Sequence, residues 1–287
     1  MFTSDVTPAQ NVGALYFAEG HYVTADDAGW NNGLNNATYK QISVPSETAT
    51  PSFIGGAHQR QPAIQAWKDQ DPSVTLVAAD YTVVASPRNL TARFWVGAKA
   101  TPNGNGTWRY EYAVHNLNAD RAGGSFSVPA PAGVAVSNIG FHAPFSHSGE
   151  PYDNSPWAGA AGGGSVLWMP VPQTPASNTN AIRWSTLYNF RFDASSPPAM
   201  GLVTIGLFAP GTPGSVTATV PVPGPVCYAN CDNSTEPPVL TVGDFTCYLQ
   251  RFAAGDPWAN CDGSTTAPAL NVADFTCFLQ RFATGCP

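Results

Sequence analysis

The chain has 287 residues, of which only 11% are charged, and its formal net charge is -7. An acidic balance with lysine confined to Lys40, Lys68 and Lys99 excludes a nucleic-acid binder, because phosphate binding needs a clustered basic surface. No run of eighteen apolar residues occurs, so no helix-forming segment is built to span a bilayer, while 27 glycines and 27 prolines give the profile of a turn-rich β protein.

In chain order, residues 1–6 carry neither a basic nor an apolar stretch, so no signal peptide is visible there; it is expected either to have been removed or to lie upstream. Short runs of strand-forming residues predict strands over 14–23, 75–86, 91–99, 133–142, 165–169, 181–192, 201–209 and 215–220. Trp108, Tyr110, Tyr112 and Val114 alternate with Arg109, Glu111, Ala113 and His115, the pattern of a strand with one buried face, so these aromatics read as core. A short helix is predicted over 62–69, with Pro62 in its first turn and Ile64 and Trp67 facing inward. Clusters such as 101–106, Thr-Pro-Asn-Gly-Asn-Gly, supply the turns. The expected fold is mainly β, an antiparallel β-sandwich in residues 1–222. The main sandwich is placed at about 75–222, and residues 1–74 are expected to add strands and the short helix to it.

One loop in this region gathers candidate chemistry. His142, His147, Glu150, Asp153 and Trp157 lie in a Gly, Pro and Ser-rich stretch, where imidazoles and carboxylates on a rigid scaffold bind a metal or a sugar. The competing reading is a solvated loop whose polar groups bond its own backbone. Gly162, Gly163 and Gly164 precede Ser165 without a lysine, so they make a turn and no phosphate cradle. The five glutamates show no local pairing of the kind a glycoside hydrolase needs, and no catalytic residue is assigned.

Residues 221–226 are proline-rich and predict an extended linker, with a second module at 227–287. That module is one unit written twice. Asn230, Asp232, Ser234, Thr241 and Asp244 recur thirty positions later as Asn260, Asp262, Ser264, Asn271 and Asp274. Alternate oxygen-bearing side chains followed by a carboxylate at the start of a helix suit a calcium ion; the same residue types also cap helices without any metal. Phe245, Leu249 and Phe252, with Phe275, Leu279 and Phe282, fall on one helical face and are expected to pack the repeats together. Gln250, Arg251, Gln280 and Arg281 are then expected to face outward as a docking surface.

All six cysteines lie in this module. Symmetry suggests Cys231 with Cys247, Cys261 with Cys277, and Cys227 with Cys286 near the module ends, among fifteen possible pairings. Zinc is the rival, but there is no CxxC and no histidine after His147. Disulfides imply an oxidising compartment, hence an extracellular or cell-surface location.

The duplicated segment resembles the dockerin family, whose two loop-helix repeats bind calcium and dock onto a cohesin partner. The resemblance covers about a fifth of the chain and implies Ca2+ at the residues named above, with Asn230 and Asn260 first in their loops and Asp244 and Asp274 last. Thr235 and Thr265 stand where that family has glycine, and proline-bearing insertions lengthen both loops at 236–238 and 266–268. The stretches 108–118, 125–129 and 187–192 resemble a group of exported bacterial sandwich proteins of unestablished role. Together these imply a secreted, non-catalytic protein attached through the module to a cohesin-like or other surface protein. The alternative is a carbohydrate-active enzyme or polysaccharide-binding protein tethered in the same way.

Overall fold

The computed structural model describes residues 3–46, 48–144, 150–225, 227–232, 234 and 238–286. The N-terminal part holds α1 (Thr3–Val6), β1 (Tyr16–His21), α2 (Ala25–Gly29), β2 (Ala37–Ser43), β3 (Ser52–Gln59) and α3 (Gln65–Gln70). The sandwich follows as β4 (Thr75–Val83), β5 (Leu90–Pro102), β6 (Trp108–Asn116), β7 (Gly123–Pro129), β8 (Val136–His142), β9 (Ala158–Gly162), β10 (Ser165–Met169), β11 (Leu187–Ala194), β12 (Pro198–Leu207) and β13 (Ser215–Pro223). These ten form two five-stranded antiparallel sheets, ordered β4-β5-β6-β11-β8 and β13-β12-β7-β10-β9.

Alternation in β6 has the expected consequence. Tyr110, Tyr112 and Val114 are buried and face the opposite sheet. Tyr112 meets Phe126 edge-on at 5.6 Å, and Phe190 of β11 lies 4.7 Å from Phe126 and 5.3 Å from Trp168. Each such side chain contributes about 1.5–3 kcal/mol by leaving water, as an upper estimate. The tyrosine hydroxyls are not stranded: Tyr110 donates to Ser196 O at 2.7 Å and Tyr112 to Pro221 O at 2.9 Å. Buried Asn116 closes the turn after β6, donating to Ala119 O and Ile182 O at 2.9 Å each and accepting from Ala119 N at 2.7 Å. The glycine run joins β9 to β10 as a two-residue hairpin turn, with Gly163 at φ 58° and Gly164 at φ 81°.

The first seventy residues do not extend the sandwich as the sequence suggests. Their strands form a separate three-stranded antiparallel sheet, ordered β1-β2-β3. Together with α3 it lies against the outer face of the sheet containing β5 and β6. Trp67 packs so closely on Gly97 that a Cβ there would sit 3.0 Å from the ring. Glu19 reaches the β6 side chain His115, Oε1 to Nε2 at 3.5 Å, while its Oε2 accepts from Ala63 N at 2.6 Å. This is why His115, on the solvent-facing register of β6, is only 2% exposed. Burial pushes the Glu19 carboxyl up, but His115 and the Ala63 amide outweigh it and hold it below its usual range.

Residues 221–223 of the proline-rich segment are likewise not a spacer but the end of a strand. Pro221 and Pro223 belong to β13, an edge strand, where a missing N–H costs no ladder bond. Val222 is buried, Gly224 N donates to Pro197 O at 2.8 Å, and Ser196 Oγ donates to Gly224 O at 2.5 Å.

Beyond it stand α4 (Val242–Ala253) and α5 (Val272–Thr284). Tyr248 and Phe278, both fully buried, stack at 4.0 Å between the helices, and Phe245 meets Phe275 edge-on at 5.7 Å.

Candidate functional site

The two C-terminal loops are one hydrogen-bonding device made twice. Asp244, fully buried, accepts from Thr241 N at 2.8 Å and from Asp232 N at 3.2 Å. Asp274 repeats this with Asn271 N at 2.9 Å and Asp262 N at 3.2 Å. In return Thr241 Oγ1 accepts from Gly243 N at 3.0 Å and Asn271 Oδ1 from Ala273 N at 2.8 Å, completing a capping box on each helix. Further back, Asp232 accepts from Ser234 N at 2.9 Å and Asp262 from Ser264 N at 2.8 Å. Asn230 and Asn260 each donate 2.8 Å bonds, to Ser234 O and Ser264 O.

These bonds set the charge state. The Ser234 amide holds Asp232 below the usual carboxylate range. Burial pushes Asp274 up, but the amides of Asn271 and Asp262 bring it below that range as well. Among the described residues of the module, one buried acceptor is left over: Asn260 Oδ1 has no hydrogen-bond partner. Among the described residues, no three His, Cys, Asp or Glu side chains converge as a metal-holding group.

Three disulfides brace the device. Cys231–Cys247 and Cys261–Cys277 each tie a loop to its helix across 16 residues, with Cα atoms 5.8 Å apart. Cys227–Cys286 closes the module across 59 residues. Such bonds belong to an oxidising, extracellular-type environment. Among the described residues, no helix is long and apolar enough to cross a membrane.

The helix faces differ from the expected assignment. Leu249 and Leu279 are exposed, and Tyr248 and Phe278 fill the space between the repeats instead. Phe245, Tyr248 and Phe252 satisfy helical spacing as well as Phe245, Leu249 and Phe252 do, so periodicity alone does not choose between the faces. Gln250, Gln280 and Arg281 are exposed. Arg251 is partly exposed and engaged locally: its guanidinium lies 4.7 Å from the Trp258 ring centroid and its Nη1 is 3.1 Å from Asp256 Oδ2. Arg281 sits over Tyr228 at 4.8 Å.

The described members of the sandwich loop do not form one site. His142, exposed at the end of β8, borders a surface groove with Glu111 and Arg191. Asp153 is spent on its own turn, accepting from Ser155 N at 3.1 Å and Ser155 Oγ at 3.0 Å. Glu150 is exposed, and His147 lies outside the described residues. Trp157 offers no face to a sugar. It is 3% exposed, stacks on Phe141 at 5.7 Å and donates from Nε1 to Asn180 O at 3.1 Å, which makes it part of the core.

No protein-family model matches this chain, and no curated protein and no solved structure matches it either.

Proposed function

We propose that this is a non-catalytic surface or assembly protein whose dockerin-like C-terminal module attaches it to a cohesin-like partner. The observation that carries the reading is a matched pair of exposed apolar patches on the duplicated helices. Val242 is 79% exposed and Val272 78%, and Leu249 and Leu279 are 41% and 40% exposed. The module has its own aromatic core and covalent braces, and apolar groups left in water at equivalent positions of the two repeats suit a protein partner. They are the central docking determinants, with Gln250, Arg251, Gln280 and Arg281 at their margin.

Calcium is a further part of the proposal. The oxygens to hold it are those of Asn230, Asp232 and Ser234 in one loop and Asn260, Asp262 and Ser264 in the other, with Asp244 and Asp274 behind them. The orphaned Asn260 Oδ1 supports this, since a buried acceptor without a donor is stabilised by a cation. Because amides and disulfides already satisfy the loops, the ion adds little to the fold and binds in the weak range of extracellular modules, with Kd of about 10⁻⁴ to 10⁻³ M.

Surface plasmon resonance of the full chain against a panel of cohesin modules tests attachment. At least one should bind, and the Leu249→Lys, Leu279→Lys double variant should lose it; silence across the panel sinks the reading. Calorimetric calcium titration of the chelator-treated protein tests the ion separately, and a flat titration into the millimolar range removes calcium and leaves attachment standing.

A further inference from the structure

A second site lies between the N-terminal layer and the rim of the sandwich, a cleft of about 300 Å³ next to β1, α2 and β5. Its walls are largely apolar, Val83 and Leu90 among them, and carry the aromatics Tyr22 and Trp184, the carboxamides Asn31, Asn36 and Asn118, the carboxylate Asp120 and the imidazole of His21, with no lysine or arginine. Tyr22 is 69% exposed and Trp184 42%, so two large rings are left in water where the surface is concave.

The arrangement is held in place by backbone that costs energy. Ser185, next to Trp184, has φ 56°, a left-handed conformation uncommon for a side-chain-bearing residue. Ser185 N donates to Asn116 O at 2.8 Å, and its hydroxyl is hydrogen-bonded to His21 Nδ1. Asn31 also sits at positive φ, 62°, and accepts from Thr91 N at 2.7 Å through Oδ1, which leaves its Nδ2 hydrogens for a ligand. Asn36 is the complement: its Nδ2 donates to Asp27 Oδ2 at 2.6 Å, and its Oδ1 remains as an acceptor. Asn118 is engaged at both ends, accepting from Arg93 N and donating to Thr91 O at 2.8 Å each, and so belongs to the frame. Asp120 is exposed and makes no ion pair among the described residues.

This set of groups selects by chemistry. With a carboxylate and no cation in the lining, an anionic ligand such as a phosphate or sulfate is repelled. A wholly apolar ligand would strand the carboxamides without partners. A sugar ring offers adjacent hydroxyls that both donate and accept, and a C–H face that lies flat on an aromatic ring. The volume is at the low end for ligand pockets, enough for one end of a chain. We propose that this cleft binds the end of a neutral saccharide, with one ring on Trp184 and its hydroxyls held by Asn31, Asn36 and Asp120. The inference is independent of the attachment module.

The test is calorimetric titration of the full chain with neutral hexasaccharides of glucose, xylose, mannose, galactose and N-acetylglucosamine. At least one series should bind, and Trp184→Ala and Asp120→Ala should each weaken it by about tenfold. Phe53→Ala, at an exposed ring on β3, should leave affinity unchanged, and circular dichroism should show all three variants folded. Failure of every hexasaccharide to bind overturns the proposal, as does undiminished binding by folded Trp184→Ala. Cohesin binding should be the same in all of these variants, so a failure here does not touch the attachment reading.

Discussion

The sandwich and the C-terminal module reach stability by opposite routes. Between its sheets the sandwich buries a continuous aromatic and aliphatic core, from Phe94 and Tyr112 through Trp168 to Val220, and contains no cysteine. In the module the fully enclosed side chains are few, Tyr248 and Phe278 chief among them, and three disulfides with two capping boxes supply the rest. A chain of some sixty residues has too little interior to stand on apolar burial alone, so covalent closure and satisfied helix ends take over.

Reduction should break this contrast most sharply. Each 16-residue bridge contributes about 3 kcal/mol and the 59-residue bridge about 4 kcal/mol in the chain-entropy account, terms that are not strictly additive. Full reduction of the intact chain should therefore unfold the module and leave the sandwich folded. Limited proteolysis read by mass spectrometry checks this, and a protease-resistant C-terminal fragment after complete reduction would refute the division. Trp168→Ala should do the reverse, costing about 3–5 kcal/mol in the urea unfolding of the sandwich while the oxidised module keeps its protection. Equal losses in both parts would mean that they unfold as one unit.

The smallest effect is in pH dependence, where the sign separates the parts. Asp232 and Asp274 are held below 3.8 in the folded module, so the stability they confer is present above 3.8 and is lost as pH falls through their lower folded values. Burial lowers His21, in the N-terminal layer, below 6.5, with Glu19 opposing the shift. There the unfolded chain takes up the proton first, so stability is full above 6.5 and declines below it. Hydrogen exchange during acidification should show the N-terminal layer loosening before the module, and the opposite order would overturn both assignments.

Much of the sandwich was legible because strand alternation is a local property. The runs at 75–86, 91–99, 165–169 and 215–220 correspond to β4, β5, β10 and β13. Two strands, β2 and β7, escaped although buried Ala37 and Tyr39, and Phe126 and Val128, alternate along them; two others had no such signal. All of β3 is exposed, with glycines at 55 and 56, and β9 consists of exposed alanine and glycine. The expected strand at 181–192 begins later, at Leu187, because residues 183–186 form a turn closed by Thr186 N to Arg183 O at 3.0 Å. Of the candidate sites, the polar loop residues of the module could be found from their repetition. The saccharide cleft could not, since Tyr22, Asn31, Asp120 and Trp184 are far apart in the chain and unremarkable one by one.

By itself, the amino-acid sequence determined what neighbours along the chain decide: which strand faces are apolar, where turns fall, and how the two loops cap their helices. Tertiary structure alone decided that the N-terminal strands form their own sheet over β6, that Trp157 is core while Leu249 is surface, and that His21 meets Ser185. Periodicity specifies a face but not the partner placed against it. That partner is set by long-range packing, in which Glu19 meets His115 of β6 and Trp67 covers Gly97 of β5.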